Sequence, residues 1–241
     1  MSPSNVITIV TSTRPRAGCT LLARLLVDFY LQDGRTAAAF DLNGADKALS
    51  EFLPGHAAPA DVSNIYGQMA LFDRLAATDG ARKVIDLGPE VMKPFFSVMN
   101  EIDLAGEARR TGTATVILFI ATPDDAAAAA FAALRRDCPA AIVVPVHNEY
   151  LGEAQHRDRF AASGTGAVPL HMPALAPGLR RLIERRPFTF SDSTNMALLG
   201  AGPEVGNTLQ RWRRRMYVEF REMELRVLLG EVQGSLAGRP R

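Results

Sequence analysis

Cysteine is scarce in this 241-residue chain: Cys19 and Cys138 are the only two, and they form no paired pattern. A disulfide framework is excluded, and two lone thiols in apolar surroundings suit a reducing compartment. Histidine is equally sparse. His56, His147, His156 and His171 show none of the close spacings of zinc ligands, so no structural zinc is expected. No Gly-x-Gly-x-x-Gly stretch occurs, which removes the usual fingerprint for NAD, and no flavin is expected. A dominant charge is missing too. With a formal net charge of +1, the molecule as a whole exerts no strong field on nucleic acid or membrane. Contact with either would need a local patch. No apolar run approaches the roughly 20 residues that span a bilayer. The start, Met1-Ser2-Pro3-Ser4-Asn5, lacks the basic region and apolar core of a signal peptide. A cytoplasmic protein is the expectation, with peripheral attachment at the inner membrane as its variant.

What is present is an ordinary globular composition, 47% hydrophobic and 22% charged. A chain of this size buries roughly three quarters of its unfolded surface and needs no staple. β-rich runs at 6–10, 37–42, 84–87, 115–121, 140–146 and 167–170 predict buried strands. Helical periodicity fills 20–31, 47–52, 64–77, the stretch from Pro89 onward, 124–136, 175–185 and 204–229, with a loop over 54–59. Strands alternating with helices predict βαβ units: an α/β fold, a mostly parallel sheet with helices on both faces. Ligands of such sheets bind beyond the C-terminal strand ends. The expected organisation is one α/β domain over 1–200, an amphipathic helix over 201–232 and a disordered Gly/Pro/Arg-rich tail over 233–241.

Between the first strand and its helix runs Thr13-Arg14-Pro15-Arg16-Ala17-Gly18-Cys19-Thr20. A working phosphate loop there needs glycines for close backbone approach, a lysine for the β/γ-phosphates and a Ser/Thr hydroxyl for magnesium. Asp41-Leu42-Asn43-Gly44 ends the second strand, Val84-Ile85-Asp86-Leu87-Gly88-Pro89 the third, Val146-His147-Asn148 a later one, and Val168-Pro169-Leu170-His171-Met172-Pro173 follows. In this order the segments resemble the ParA/MinD-like deviant-Walker P-loop NTPases, with a degenerate P-loop, over roughly 5–190. The family pattern is Gly-Lys-Gly-Gly-x-Gly-Lys-Thr. Thr20 and Gly18 keep their places in it, Arg14 stands for the early signature lysine, Cys19 replaces the main lysine, and Pro15 and Arg16 replace glycines.

The resemblance implies a P-loop NTPase fold and bound ATP or ADP, touched by Arg14, Arg16, Gly18, Cys19, Thr20, Asn148 and Pro173. It implies magnesium held through Thr20 and Asp86, and Asp41 as the catalytic candidate. It also implies a homodimer and a role in positioning or partitioning another component. Asn43, where the family has an acid, and the absent lysine predict weak or no hydrolysis. The other reading of these substitutions is a non-catalytic scaffold that binds a protein partner without nucleotide. Other phosphate chemistry on the same sheet would still need the lysine. A flavodoxin-like or Rossmann sheet is the alternative fold. Taken residue by residue, Arg14 and Arg16 also read as solvated loop arginines, Asp41 and Asp86 as turn or helix caps, and His147 and Asn148 as satisfied structural groups. Cys19 reads as packing or as a thiol activated by a helix N-terminus.

In the last helix, Leu209, Trp212, Met216, Phe220, Met223 and Val227 form one apolar stripe, with Arg211, Arg213, Arg214 and Arg215 near its start. Docking on its own domain, on an unidentified protein partner through 204–230, or on a membrane surface are its three readings; Glu219, Glu222 and Glu224 oppose the last.

Overall fold

The computed structural model describes residues 5–44, 46, 48–152, 160, 168–191 and 202–237, with the side chains of the last helix described through residue 230. The β-branched run at the start becomes β1 (Asn5–Thr11), buried at every position. Then follow α1 (Cys19–Gln32), β2 (Ala37–Leu42), α2 (Ala48–Phe52), β3 (Ala57–Pro59), α3 (Ile65–Ala76), β4 (Arg82–Leu87) and α4 (Pro89–Glu101). The second half supplies α5 (Leu104–Arg110), β5 (Thr113–Ile120), α6 (Asp125–Asp137), β6 (Ile142–Asn148), β7 (Leu170–Met172), α7 (Pro177–Ile183) and α8 (Pro203–Ala237). The seven described strands form one parallel sheet in the order β3-β2-β4-β1-β5-β6-β7. β1 sits at its centre; the chain passes from β1 towards β2 on one side and later from β4 to β5 on the other, and this reversal of strand order opens a crevice at the C-terminal end of β1.

Period-two alternation divides the core between the two faces. Val6 and Val10 of β1, with Val116 and Leu118 of β5, face the layer of α1, α7 and α8. Ile7, Ile9, Ile117 and Phe119 face α3, α4, α5 and α6. Helix starts obey simple capping: Asn64 accepts from the Gly67 amide at 2.9 Å, Asp124 from the Ala127 amide at 2.9 Å, and Pro89 opens α4 where its missing N–H is harmless.

Several expectations are corrected. The loop foreseen over 54–59 contains β3, which pairs Ala57 with Ala39 and Pro59 with Asp41. Its Ala-Ala-Pro sequence has no strand signature, but an edge strand tolerates proline. α5 was not foreseen. The final strand is β7 at Leu170–Met172 rather than 167–170; residue 167 and His156 lie outside the described residues. For α8 the structure shows docking on its own domain, the first of its three readings. Its stripe Leu209, Trp212, Met216, Phe220, Met223 and Val227 is buried in the domain core. Any partner of α8 must therefore use its outer side, where Val218, Leu225 and Leu229 are exposed. The α8 backbone stays helical to Ala237, past the expected tail start at 233, and 238–241 lie outside the described residues. Among the described residues, no helix is long and apolar enough to cross a membrane.

Candidate functional site

The C-terminal ends of β1, β2, β4, β6 and β7 surround a cleft of about 580 Å³. Its floor is the loop between β1 and α1. Ser12 anchors the loop by donating its hydroxyl to the Ile120 carbonyl at 3.0 Å. Arg16 and Gly18 both take positive φ, 60° and 108°, so the chain turns sharply before entering α1. Glycine suits 18 on a second count: a Cβ there would lie 3.0 Å from Asn148 Nδ2 and 3.0 Å from Met172 Cε. The same conformation at Arg16 carries side-chain strain, which concentrates at functional loops.

Thr20, in the first turn of α1, meets the end of β4. Its Oγ1 donates to Asp86 Oδ2 at 2.6 Å. Asn43 reaches the same oxygen, with Nδ2 2.6 Å from Asp86 Oδ2 and 3.3 Å from Thr20 Oγ1. Asp86 is fully buried, and its Oδ1 has no hydrogen-bond partner among the described residues. Burial pushes its carboxyl up to about 7; the bonds from Thr20 and Asn43 pull the other way, and the Asp41 charge adds to the rise.

The remaining sequence candidates fall differently. Arg14 is 60% exposed on the cleft rim and pairs with Asp124 at 3.0 Å. Arg16 lines the cleft and has no hydrogen bond or ion pair among the described residues. Asp41 does not face the cleft. Its carboxylate accepts from the Asn43 amide at 3.1 Å and from the Ser50 amide and hydroxyl at 2.9 and 3.3 Å, the turn-capping alternative. Asn148 lines the cleft with both ends of its amide engaged, donating to the Ala17 carbonyl at 2.9 Å and accepting from the Tyr150 amide at 3.0 Å. It clamps the phosphate-loop candidate in place. Pro173 lines the far wall, and its carbonyl accepts from Trp212 Nε1 at 2.8 Å. Cys19 is half-buried in the cleft lining, and desolvation, followed by the Asp86 charge, holds its thiol well above the ordinary value.

Sequence reasoning missed Arg24, Tyr150, Arg180 and Arg186 of the cleft wall. Arg24, one turn beyond Thr20 on an otherwise apolar helix, was the available signal. It is buried over the Phe52 ring at 3.5 Å and donates to the Ile183 carbonyl at 2.8 Å, fixing the end of α7. Desolvation lowers its pKa to about 9.

No protein-family model matches the chain, and no curated protein matches it by sequence. Solved structures do. The chain is similar to the MinD cell division protein of Aquifex aeolicus, at 12% identity and a TM-score of 0.51, over 88% of this chain and 96% of that one. It also matches an ADP-bound nucleotide-binding protein from Archaeoglobus fulgidus, at 11% identity and a TM-score of 0.41, over 89% of each chain. A third match is the GDP-bound signal recognition particle 54 kDa protein of Aeropyrum pernix K1. There identity is 14% and the TM-score 0.48, over 86% of this chain and 49% of that one. The MinD likeness shows the fold: a parallel α/β sheet like that of MinD, here with a long C-terminal helix.

Magnesium, implied by the sequence resemblance, does not fit these side chains. The Asp86 oxygen nearest Thr20 already accepts two donors. Its other oxygen is sealed from solvent, whereas bound magnesium keeps several waters. Asn43 presents an NH2 group there, which repels a cation. Among the described residues, no three acidic, histidine or cysteine side chains converge.

Proposed function

We propose that this protein is a nucleotide-binding switch of the ParA/MinD-like kind, with a degenerate phosphate loop and weak or no ATP hydrolysis. The observation that carries the reading is the cleft itself. It lies at the C-terminal end of the central strand, with the α1 N-terminus, Thr20 and the arginine-bearing loop as its floor. A helix N-terminus with free N–H groups is an anion site, and guanidinium groups on its rim suit phosphate oxygens. Arg14, Arg16, Gly18 and Thr20 would meet phosphates, and the 173 segment with Tyr150 would flank the base.

Loss of hydrolysis follows from three features. No lysine lines the described cleft. Pro15 offers no backbone N–H. Asp41, the catalytic candidate, is committed to the Asn43 and Ser50 amides. Removing even one preorganised stabiliser of transition-state charge commonly lowers turnover about 100-fold or more.

The test is isothermal titration of ATP and ADP into the full chain, with light scattering on the same samples. Micromolar binding with an ATP-dependent doubling of mass supports a switch that pairs as a homodimer and positions a partner. Absence of heat with both nucleotides supports the scaffold reading instead, which the already satisfied amides of Asn43 and Asn148 favour.

A further inference from the structure

Cation chemistry normally holds phosphates in a cleft of this shape; here a side-chain amide stands where the cation would. We propose that this cleft binds its nucleotide as the metal-free polyphosphate, with Asn43 Nδ2 bridging Thr20 and Asp86 in place of a divalent ion. The inference rests on the nucleotide reading of the cleft and narrows it.

The geometry has three parts. Asn43 Nδ2 lies 2.6 Å from Asp86 Oδ2 and 3.3 Å from Thr20 Oγ1, so one NH2 group spans the two side chains that the family resemblance assigns to the metal. Thr20 gives its own hydroxyl proton to Asp86 at 2.6 Å. Together the two donors occupy the lone-pair positions of the Asp86 oxygen that faces α1, which leaves that oxygen no open position for a cation. The third part is Gly88, directly after β4. A Cβ on Gly88 would lie 2.8 Å from Asn43 Oδ1 and 3.3 Å from its Cα. The backbone at 88 has φ −65° and ψ 152°, which any residue adopts, so glycine is required there by the space Asn43 fills. Asn43 therefore has a built seat.

With the cation replaced, the phosphate charge has to be met elsewhere. Arg16 lines the cleft without a partner among the described residues, and Arg14, paired with Asp124 at 3.0 Å, lines it as well. Their guanidinium groups and the α1 N-terminus supply positive charge without a metal. A metal-bound nucleotide brings its own charge neutralisation and would set a cation against the Asn43 amide hydrogens. Metal-free nucleotide is the better match.

The experiment titrates ATP into the full chain by calorimetry, once in EDTA and once in excess magnesium. Affinity in EDTA equal to that in magnesium within about threefold, or tighter, is the expected result, since a threefold change is under a tenfold step of about 1.4 kcal/mol. Asn43→Asp puts a carboxylate against Asp86 and the phosphates; it should weaken binding in EDTA about tenfold or more, with magnesium restoring it. Gly88→Ala, which displaces Asn43 while adding no charge, should weaken binding in EDTA as well. Circular dichroism establishes that each variant is folded, and the wild-type comparison stands without them. ATP binding that is tenfold or more tighter in magnesium overturns the metal-free inference and leaves the nucleotide reading intact. Absence of binding in both buffers overturns both.

Discussion

The two faces of the sheet are held by different physics. Under α3–α6 the packing is aromatic and aliphatic: Phe95 stacks on Phe72 at 5.7 Å and meets Phe96 edge-on, while Phe119, Phe131 and Phe160 form a second cluster. Under α1 and α8 the apolar core is threaded with buried polar ties. Asp28 of α1 accepts from the Tyr217 hydroxyl and the Ser191 hydroxyl, with Arg213 at 3.9 Å. Trp212 donates to the Pro173 carbonyl, the Glu219 carboxylate accepts from the His171 amide at 2.8 Å, and Arg35 pairs with Glu224 at 2.6 Å. Apolar packing tolerates repacking, whereas directional polar ties specify one geometry. The cleft draws its floor from α1 and its far wall from the 173 segment, both on the polar face. The fold's precision is thus concentrated where the ligand would sit.

Truncating the apolar face should produce the largest effect. Phe95→Ala removes a fully buried ring and should destabilise the fold by about 3–5 kcal/mol, read by urea denaturation. Nucleotide affinity of the folded fraction should not change. A coupled loss of affinity would break the contrast between the faces.

The next effect belongs to the site itself. Asp86 has a folded pKa of about 7, raised by burial, against an ordinary carboxyl value of about 3.9 when unfolded. The folded state therefore binds the extra proton between these values. The contribution of Asp86 to stability is greatest below pH ~4, falls as pH rises towards about 7, and is level above that. Asp86→Asn should remove this slope in denaturation curves taken from pH 4 to 8, whereas the apolar face contributes none. A slope unchanged in the variant would assign it to other groups.

Tyr217→Phe tests the polar face more finely. It removes one donor to a buried carboxylate and should destabilise by about 1–3 kcal/mol. Because Asp28 holds α8 against α1, weaker ATP binding should accompany the loss, in contrast to Phe95→Ala. The smallest effect sits in the loop. Arg16→Gly relieves the positive-φ strain and should raise stability by about 1 kcal/mol in thermal melts, while lowering ATP affinity through the lost guanidinium.

The layered fold was legible because its strands are apolar β-branched runs buried on both sides, as in β1, β4 and β5. β3 was not, since Ala57, Ala58 and Pro59 carry no periodic signal and pair only through their neighbour β2. At the site, the order of segments brought Thr20 and Asp86 to attention, and they do meet. Asn43 was read only as a neutral residue where the family has an acid; its donor role exists only in three dimensions, where an NH2 group finds two acceptors contributed by α1 and β4. Asp41 carries the capping contacts of its other reading. A carboxylate two residues before Asn43 and nine before Ser50 is within reach of both backbone amides, and local capping took it from the cleft. The stripe of α8 was plain in sequence, but its burial on α1 depended on partners such as Phe29, which meets Tyr217 at 5.2 Å and Phe220 at 5.5 Å.

The most direct test of a nucleotide in this cleft is hydrogen–deuterium exchange of the full chain with and without ATP. Slowed exchange confined to peptides covering 13–22 and 171–180, with α3–α6 unchanged, is the predicted result. Unchanged exchange in both peptides at saturating ATP, or protection confined to the α3–α6 face, would contradict it.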